Sequence, residues 1–77
     1  MKTHRFLASF RAPIGGVPAT IVHKSSAKVH GSFGAFLDTQ QHNLEARKTF
    51  LADMTGHSDA EPESLSIELQ GHYVPIY

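Results

Sequence analysis

The sequence predicts an α+β fold: an antiparallel sheet of about four strands with one helix packed on one face, in the order β-β-β-α-β. Two observations lead to this class. Segments in which apolar and polar residues alternate lie on both sides of a single stretch with helical periodicity. The chain has only 77 residues, so residues 1–77 are expected to form a single domain.

Three strands are predicted before the helix. The first covers residues 3–11, in which Phe6, Ala8 and Phe10 point one way and Arg5, Leu7, Ser9 and Arg11 the other. Residues 12–18 contain two prolines and two adjacent glycines. They are therefore expected to form an irregular connection, either a simple hairpin loop or a mobile binding loop.

The second strand is predicted over residues 17–24, followed by a turn at Ser25 and Ser26. The third strand is predicted over residues 27–37, where Gly31 and Gly34 would mark a bulge or a close backbone approach. Short links between these strands favour an antiparallel meander.

The predicted helix covers residues 38–56. Asp38 and Thr39 are favourable N-terminal caps, and Gly56 suits the left-handed residue that often ends a helix. Arg47 projects from the middle of the apolar arc, so its stem either covers the core with the guanidinium at the rim or contacts a partner. The apolar arc is formed by Leu44, Phe50, Leu51 and Met54, and the opposite polar arc by Glu45, Lys48, Thr49 and Asp53.

After the helix, residues 57–64 are predicted to be an acidic loop and residues 65–70 a fourth strand. Gly71 is expected to form a bulge, and residues 72–77 to continue as an extended edge segment because Pro75 cannot donate a backbone hydrogen bond. One helix covers only one side of a sheet. The other face must therefore contact water, a second copy or a partner.

Charge is divided along the chain although the net charge is zero. Residues 1–31 carry five basic and no acidic side chains, whereas residues 32–77 carry two basic and seven acidic ones. Either the two halves pair internally, or the basic half meets an acidic partner or phosphates.

No motif predicts catalysis, a cofactor or a metal. Cysteine is absent, and the six histidines lack the His-x-His or i, i+4 spacing of common zinc sites. The sequence also lacks a Gly-x-Ser-x-Gly elbow and a phosphate-binding loop. The remaining catalytic alternative pairs His23 or His30 with Lys24 or Lys28. We therefore expect a protein that is not an enzyme.

Membrane and export signals are weak. No segment has the length of a transmembrane helix, and the apolar run at residues 6–10 is too short for a signal peptide. Together with the absence of cysteine, this favours a cytoplasmic location.

Two binding functions fit these features. Nucleic-acid binding would use Arg5, Arg11, Lys24 and Lys28 on neighbouring strands. Phe6 and Phe10, however, face the opposite way, so phosphate contacts would lack base stacking and would be weak and salt-sensitive.

Protein binding is the favoured function. It is supported by the uncovered sheet face, the bipolar charge and the tyrosines of the tail. The expected partner is a larger protein or ribonucleoprotein complex, with weak self-association through the open face or the tail. The candidate partner-binding residues are Arg5, Arg11, Lys24, Lys28, Arg47, Tyr73 and Tyr77.

In size, fold class and lack of cysteine, the whole chain resembles the small accessory proteins that phages and mobile elements encode. These proteins include anti-defence inhibitors that block a large bacterial complex such as a CRISPR surveillance complex. The resemblance implies an inhibitor that occupies a surface of its target, and it transfers no site residue.

Overall fold

The computed structural model describes residues 2–76, which form two β-hairpins joined by a pair of helices. The strands make one antiparallel sheet in the order β2-β1-β3-β4. The predicted α+β class with a four-stranded antiparallel sheet is confirmed, but the single helix and the order β-β-β-α-β are wrong. The elements are β1 (Lys2–Ile14), β2 (Val17–Val29), α1 (Phe33–His42), α2 (Leu44–Thr55), β3 (Glu61–Leu69) and β4 (His72–Pro75).

Most of residues 12–18, which were predicted to form an irregular connection, belong to the two strands of the first hairpin. Only Gly15 and Gly16 form the turn, with φ of 59° and 82°, values that glycine adopts at little cost. Pro13 lies directly opposite Pro18. Proline is tolerated there because two prolines facing each other occupy a pair that exchanges no backbone hydrogen bonds.

The predicted turn at Ser25 and Ser26 and the third strand at residues 27–37 are both wrong. The serines lie within β2, opposite Phe6 and Arg5, and β2 ends at Val29. The spacing of Phe33, Phe36 and Leu37 fits a helix rather than a strand.

Helix α1 begins where the sequence suggested a bulged strand. Gly31 adopts a φ of 73° between β2 and the helix, and Ser32 caps α1 by accepting a hydrogen bond from the Ala35 N–H at 3.2 Å. Gly34 lies inside the first turn of the helix and not in a strand.

Two helices replace the predicted helix at residues 38–56 because Asn43 separates them. Asn43 is extended (φ −133°, ψ 101°), and its Oδ1 accepts a hydrogen bond from the Ala46 N–H at 3.1 Å. Asp38 and Thr39, predicted as caps, lie within α1, whereas Gly56 ends α2 with a φ of 78° as predicted. Neither helix in residues 2–76 combines the length and apolarity needed to cross a bilayer.

The second hairpin begins earlier than predicted. β3 starts at Glu61, inside the predicted acidic loop, and its register against β1 shifts between Ser9 and Phe10. Gly71 belongs to a two-residue turn with Gln70 instead of a bulge. The predicted extended tail is confirmed as β4 up to Pro75, and Tyr77 lies outside the described residues.

Both helices cover the same face of the sheet. The Phe6 ring packs edge-on against Phe36 of α1 and Phe50 of α2, with centroid distances of 5.8 Å and 5.0 Å. Leu51 is buried as predicted, but Leu44 is 52% exposed, so the predicted apolar arc is only partly correct. The buried apolar residues are Phe6, Ala8, Phe10, Ala12, Val29, Leu51, Ala60, Leu65, Ile67 and Ile76.

Candidate functional site

The opposite side of the sheet carries no helix in residues 2–76, as the sequence predicted, and we call it the helix-free face. Strand register and the two-residue alternation of side chains define its members. They are Thr3, Arg5, Leu7, Ser9, Arg11 and Pro13 of β1, Pro18, Thr20, Val22, Lys24, Ser26 and Lys28 of β2, Glu61, Ser64, Ser66 and Glu68 of β3, and Tyr73 and Pro75 of β4.

Five of the seven predicted site residues share this face, four of them on the first hairpin and Tyr73 on β4. Lys24 lies opposite Leu7, and Arg5 lies opposite Ser26. Lys28 and Arg11 lie farther along the same two strands, opposite threonines. The hairpin thus gathers four of the five basic residues of the first half of the chain on one side of the sheet, while Phe6 and Phe10 are fully buried on the other.

Both arginines pair with carboxylates from the acidic half. Arg5 Nε lies 2.6 Å from Glu68 Oε2, and the two side chains are 71% and 20% exposed. Arg11 Nη2 lies 3.2 Å from Glu63 Oε1, and the Ser9 hydroxyl donates to Glu63 Oε2 at 3.4 Å. The β1–β3 pairing therefore neutralises the arginines internally. Three charged residues of the face form no salt bridge within residues 2–76, namely Lys24, Lys28 and Glu61.

Lys24 and Tyr73 meet above the face although they stand on opposite edge strands. Lys24 Nζ lies 6.0 Å from the centroid of the Tyr73 ring, at the outer limit of a cation–π contact. Together with Arg5, Ser26 and Glu68 they line a depression in the face. Tyr73 of the predicted tail therefore lies beside Arg5 of β1 and Lys24 of β2, and all three are predicted site residues.

Arg47 lies away from this group. Its Nε donates to the carbonyl oxygen of Gln40 at 2.9 Å, and its Nη2 donates to that of Gln41 at 3.2 Å. The last carbonyls of a helix lack partners within that helix. Arg47 therefore ties α2 to the end of α1. Tyr77, the remaining candidate, lies outside the described residues.

The histidines lie in separate places on the molecule. His4 packs against Phe33, His57 packs against Phe10, and His42 Nε2 lies 3.6 Å from an Asp38 carboxylate oxygen on the surface of α1. In the described part of the chain, no three histidine or carboxylate side chains come together as metal ligands would. The helix-free face instead offers charged, hydroxyl and aromatic groups suited to contacting another molecule.

Comparison of the chain with protein-family models, curated proteins and solved structures finds no match.

Leu7, Glu63 and Glu68 also belong to this site, and no sequence motif marks them. Alternation within residues 65–70 already put Glu68 on the polar side of its strand. Its approach to Arg5 depends on the β1–β3 register, which pairs Phe6 with Ile67, and no local pattern encodes that register.

Proposed function

We propose that the protein is a non-enzymatic binding module that uses its helix-free face to occupy a surface on a larger protein or ribonucleoprotein complex. The proposal rests on one observation: basic and aromatic side chains are gathered on a sheet face that no helix covers in residues 2–76. Half-buried Leu7 and Tyr73 supply apolar contact area, and the lysines supply charge.

The face is large enough for a small protein interface. With strands spaced about 4.8 Å apart and a rise of about 3.4 Å per residue, it measures roughly 20 Å by 30 Å. That is somewhat below the about 800 Å² that each partner contributes to an interface of standard size. A contact of this size can inhibit a larger assembly simply by covering a surface that the assembly needs. We propose that this protein acts in that way, as an anti-defence inhibitor.

Charge reversal tests the proposal. The variant carrying Lys24→Glu and Lys28→Glu should lose a partner that the wild-type protein recovers from a bacterial lysate. Lys48→Glu, on helix α2, changes the same kind of charge away from the face and should retain that partner. Equal recovery by the three proteins would refute the lysines as part of the binding surface.

Nucleic-acid binding is the second candidate, and the position of Tyr73 favours it. The sequence suggested that the basic face lacks an aromatic platform, yet Tyr73 lies on that face beside Lys24. Oligonucleotide binding should then fall steeply with salt and disappear in a variant carrying Arg5→Glu and Lys28→Glu. An absence of oligonucleotide binding by the wild-type protein at low salt would eliminate this candidate.

Weak self-association through the helix-free face or the tail remains a prediction. Light scattering over a concentration series should show an apparent mass that rises above that of the monomer. A constant monomer mass at the highest concentration would contradict it.

A further inference from the structure

Strand β2 has an unpaired side. It is 13 residues long and lies at one edge of the sheet, where no other strand in residues 2–76 pairs with it. The unpaired N–H and C=O groups of an edge strand can bind an additional extended segment.

The two prolines of the first hairpin identify the residues that offer these groups. Pro13 and Pro18 face each other and cannot donate, so their pair exchanges no backbone hydrogen bonds. Hydrogen-bonded and non-hydrogen-bonded pairs alternate along an antiparallel ladder, and the β1–β2 register continues unbroken from Ile14 to Lys2. The backbone groups that point outward therefore belong to Thr20, Val22, Lys24, Ser26 and Lys28.

These residues also place their side chains on the helix-free face. Lys24 and Lys28 lie four residues apart, about 13 Å along the strand. Neither lies within salt-bridge distance of a carboxylate in residues 2–76, and the contact of Lys24 with Tyr73 is at the limit of its range. The positive charges of Lys24 and Lys28 thus lie beside the outward backbone groups. An added strand has the same rise per residue, so two of its side chains four residues apart would lie opposite these lysines.

The same lysines disfavour a second copy of β2 as the added strand. The antiparallel register with the fullest overlap of residues 20–28 places Lys24 directly opposite Lys24, and like charges in that position are destabilising. A strand with carboxylates at these positions replaces that repulsion with attraction.

We infer that β2 takes up an extended acidic segment of a partner protein as a fifth, antiparallel strand. Carboxylates of the segment lie opposite Lys24 and Lys28, and β-branched side chains lie opposite Thr20 and Val22, as strand propensity favours. The inference rests on the proposed function and names the chemistry that the partner presents.

The test uses a capped peptide about nine residues long, matched to residues 20–28, with glutamates at its first and fifth positions and threonine or valine elsewhere. Before peptide is added, the outward amides should exchange with solvent much faster than those of Ile21, His23 and Ser25, which face β1. Saturation with peptide should slow exchange at the outward amides of Val22, Lys24, Ser26 and Lys28.

Two controls separate strand addition from simple charge attraction. A peptide of the same sequence, N-methylated at alternate residues on its binding edge, should not bind because it lacks the donors. Lys24→Glu combined with Lys28→Glu should weaken binding of the acidic peptide by about tenfold. A lysine-containing peptide should bind that variant more tightly than it binds the wild-type protein.

Unchanged exchange at the outward amides with millimolar peptide would overturn the inference, as would equal binding of the methylated peptide. Protection that rises with protein concentration alone would assign the edge to a second copy and also overturn it. If a photoreactive residue at Val22 captures a partner while these amides remain unprotected, the inference fails and the proposed function stands.

Discussion

Arg5 on β1 and Glu68 on β3 join the basic and acidic halves of the chain through a contact of 2.6 Å. Of the two interpretations of the divided charge, internal pairing therefore accounts for Arg5 and Arg11. The lysines of β2 have no such carboxylate partner in residues 2–76. Recognition of an acidic partner is therefore proposed for β2.

The Arg5–Glu68 pair should stabilise the fold modestly. A double-mutant cycle with Arg5→Met and Glu68→Gln is expected to give a coupling free energy of about 0.5–1 kcal/mol, because Arg5 is mostly exposed and screened by water. The same cycle for Arg11 and Glu63 should give a smaller value, since their contact is longer, at 3.2 Å. Urea unfolding measures both. A larger coupling for Arg11 and Glu63 would contradict this ranking.

Gln40 should limit the stability of the helix pair. The residue is 4% exposed, and its Oε1 has no hydrogen-bond partner in the described part of the chain. Gln40→Met keeps a similar volume and removes the unsatisfied oxygen, so the free energy of unfolding should rise by about 1 kcal/mol. Thermal unfolding should show a Tm higher by about 4–8 °C. Gln41→Met, at an exposed position, is the control, and a lower Tm for Gln40→Met would show that the oxygen is satisfied.

The first hairpin should depend on the left-handed conformation of its turn. Gly16 has a φ of 82°, so Gly16→Val should destabilise the protein by about 1–2 kcal/mol. Gly16→Asn should cost less, because asparagine enters this conformation more readily. Urea unfolding of the two variants provides the comparison. If Gly16→Val and Gly16→Asn were both as stable as the wild-type protein, residues 12–18 would not form the tight turn described above.

Arg47 should hold the two helices together. Arg47→Met removes two donors from the carbonyl oxygens of Gln40 and Gln41 and is expected to cost about 2 kcal/mol. Arg47→Lys should rescue only part of this loss, because one ammonium group does not reproduce the fork of the guanidinium. Lys48→Met makes a similar change at the next residue and should have a small effect. Full rescue by lysine would contradict the two-carbonyl arrangement.

The sheet was easier to predict than the helices because strand alternation is a local signal. Phe6, Ala8 and Phe10 in β1 and Leu65 and Ile67 in β3 alternate in sequence and are buried in the structure. The helix predicted over residues 38–56 contains all of α2 and the second half of α1. The first half of α1, residues 33–37, was missed because glycines at positions 31 and 34 resembled interruptions of a strand, although Ser32 is an effective cap.

The basic side of the candidate site was predictable, and its partners were not. Alternation along the strand placed Arg5 and Arg11 on one face and Phe6 and Phe10 on the other without knowledge of the fold. The meeting of Lys24 with Tyr73 depends instead on the order of four strands and on a turn between β3 and β4. Such long-range pairing is set by packing of the whole sheet, which local patterns do not contain.

Photo-cross-linking tests the proposed use of the helix-free face most directly. Val22 on that face is 66% exposed, and Thr49 is an exposed residue of α2 on the other side of the sheet. With benzoyl-phenylalanine at each position in turn, the protein should form one discrete adduct from Val22 in a bacterial lysate and none from Thr49. An adduct from Thr49 alone would place the binding surface on the helices and contradict the proposal.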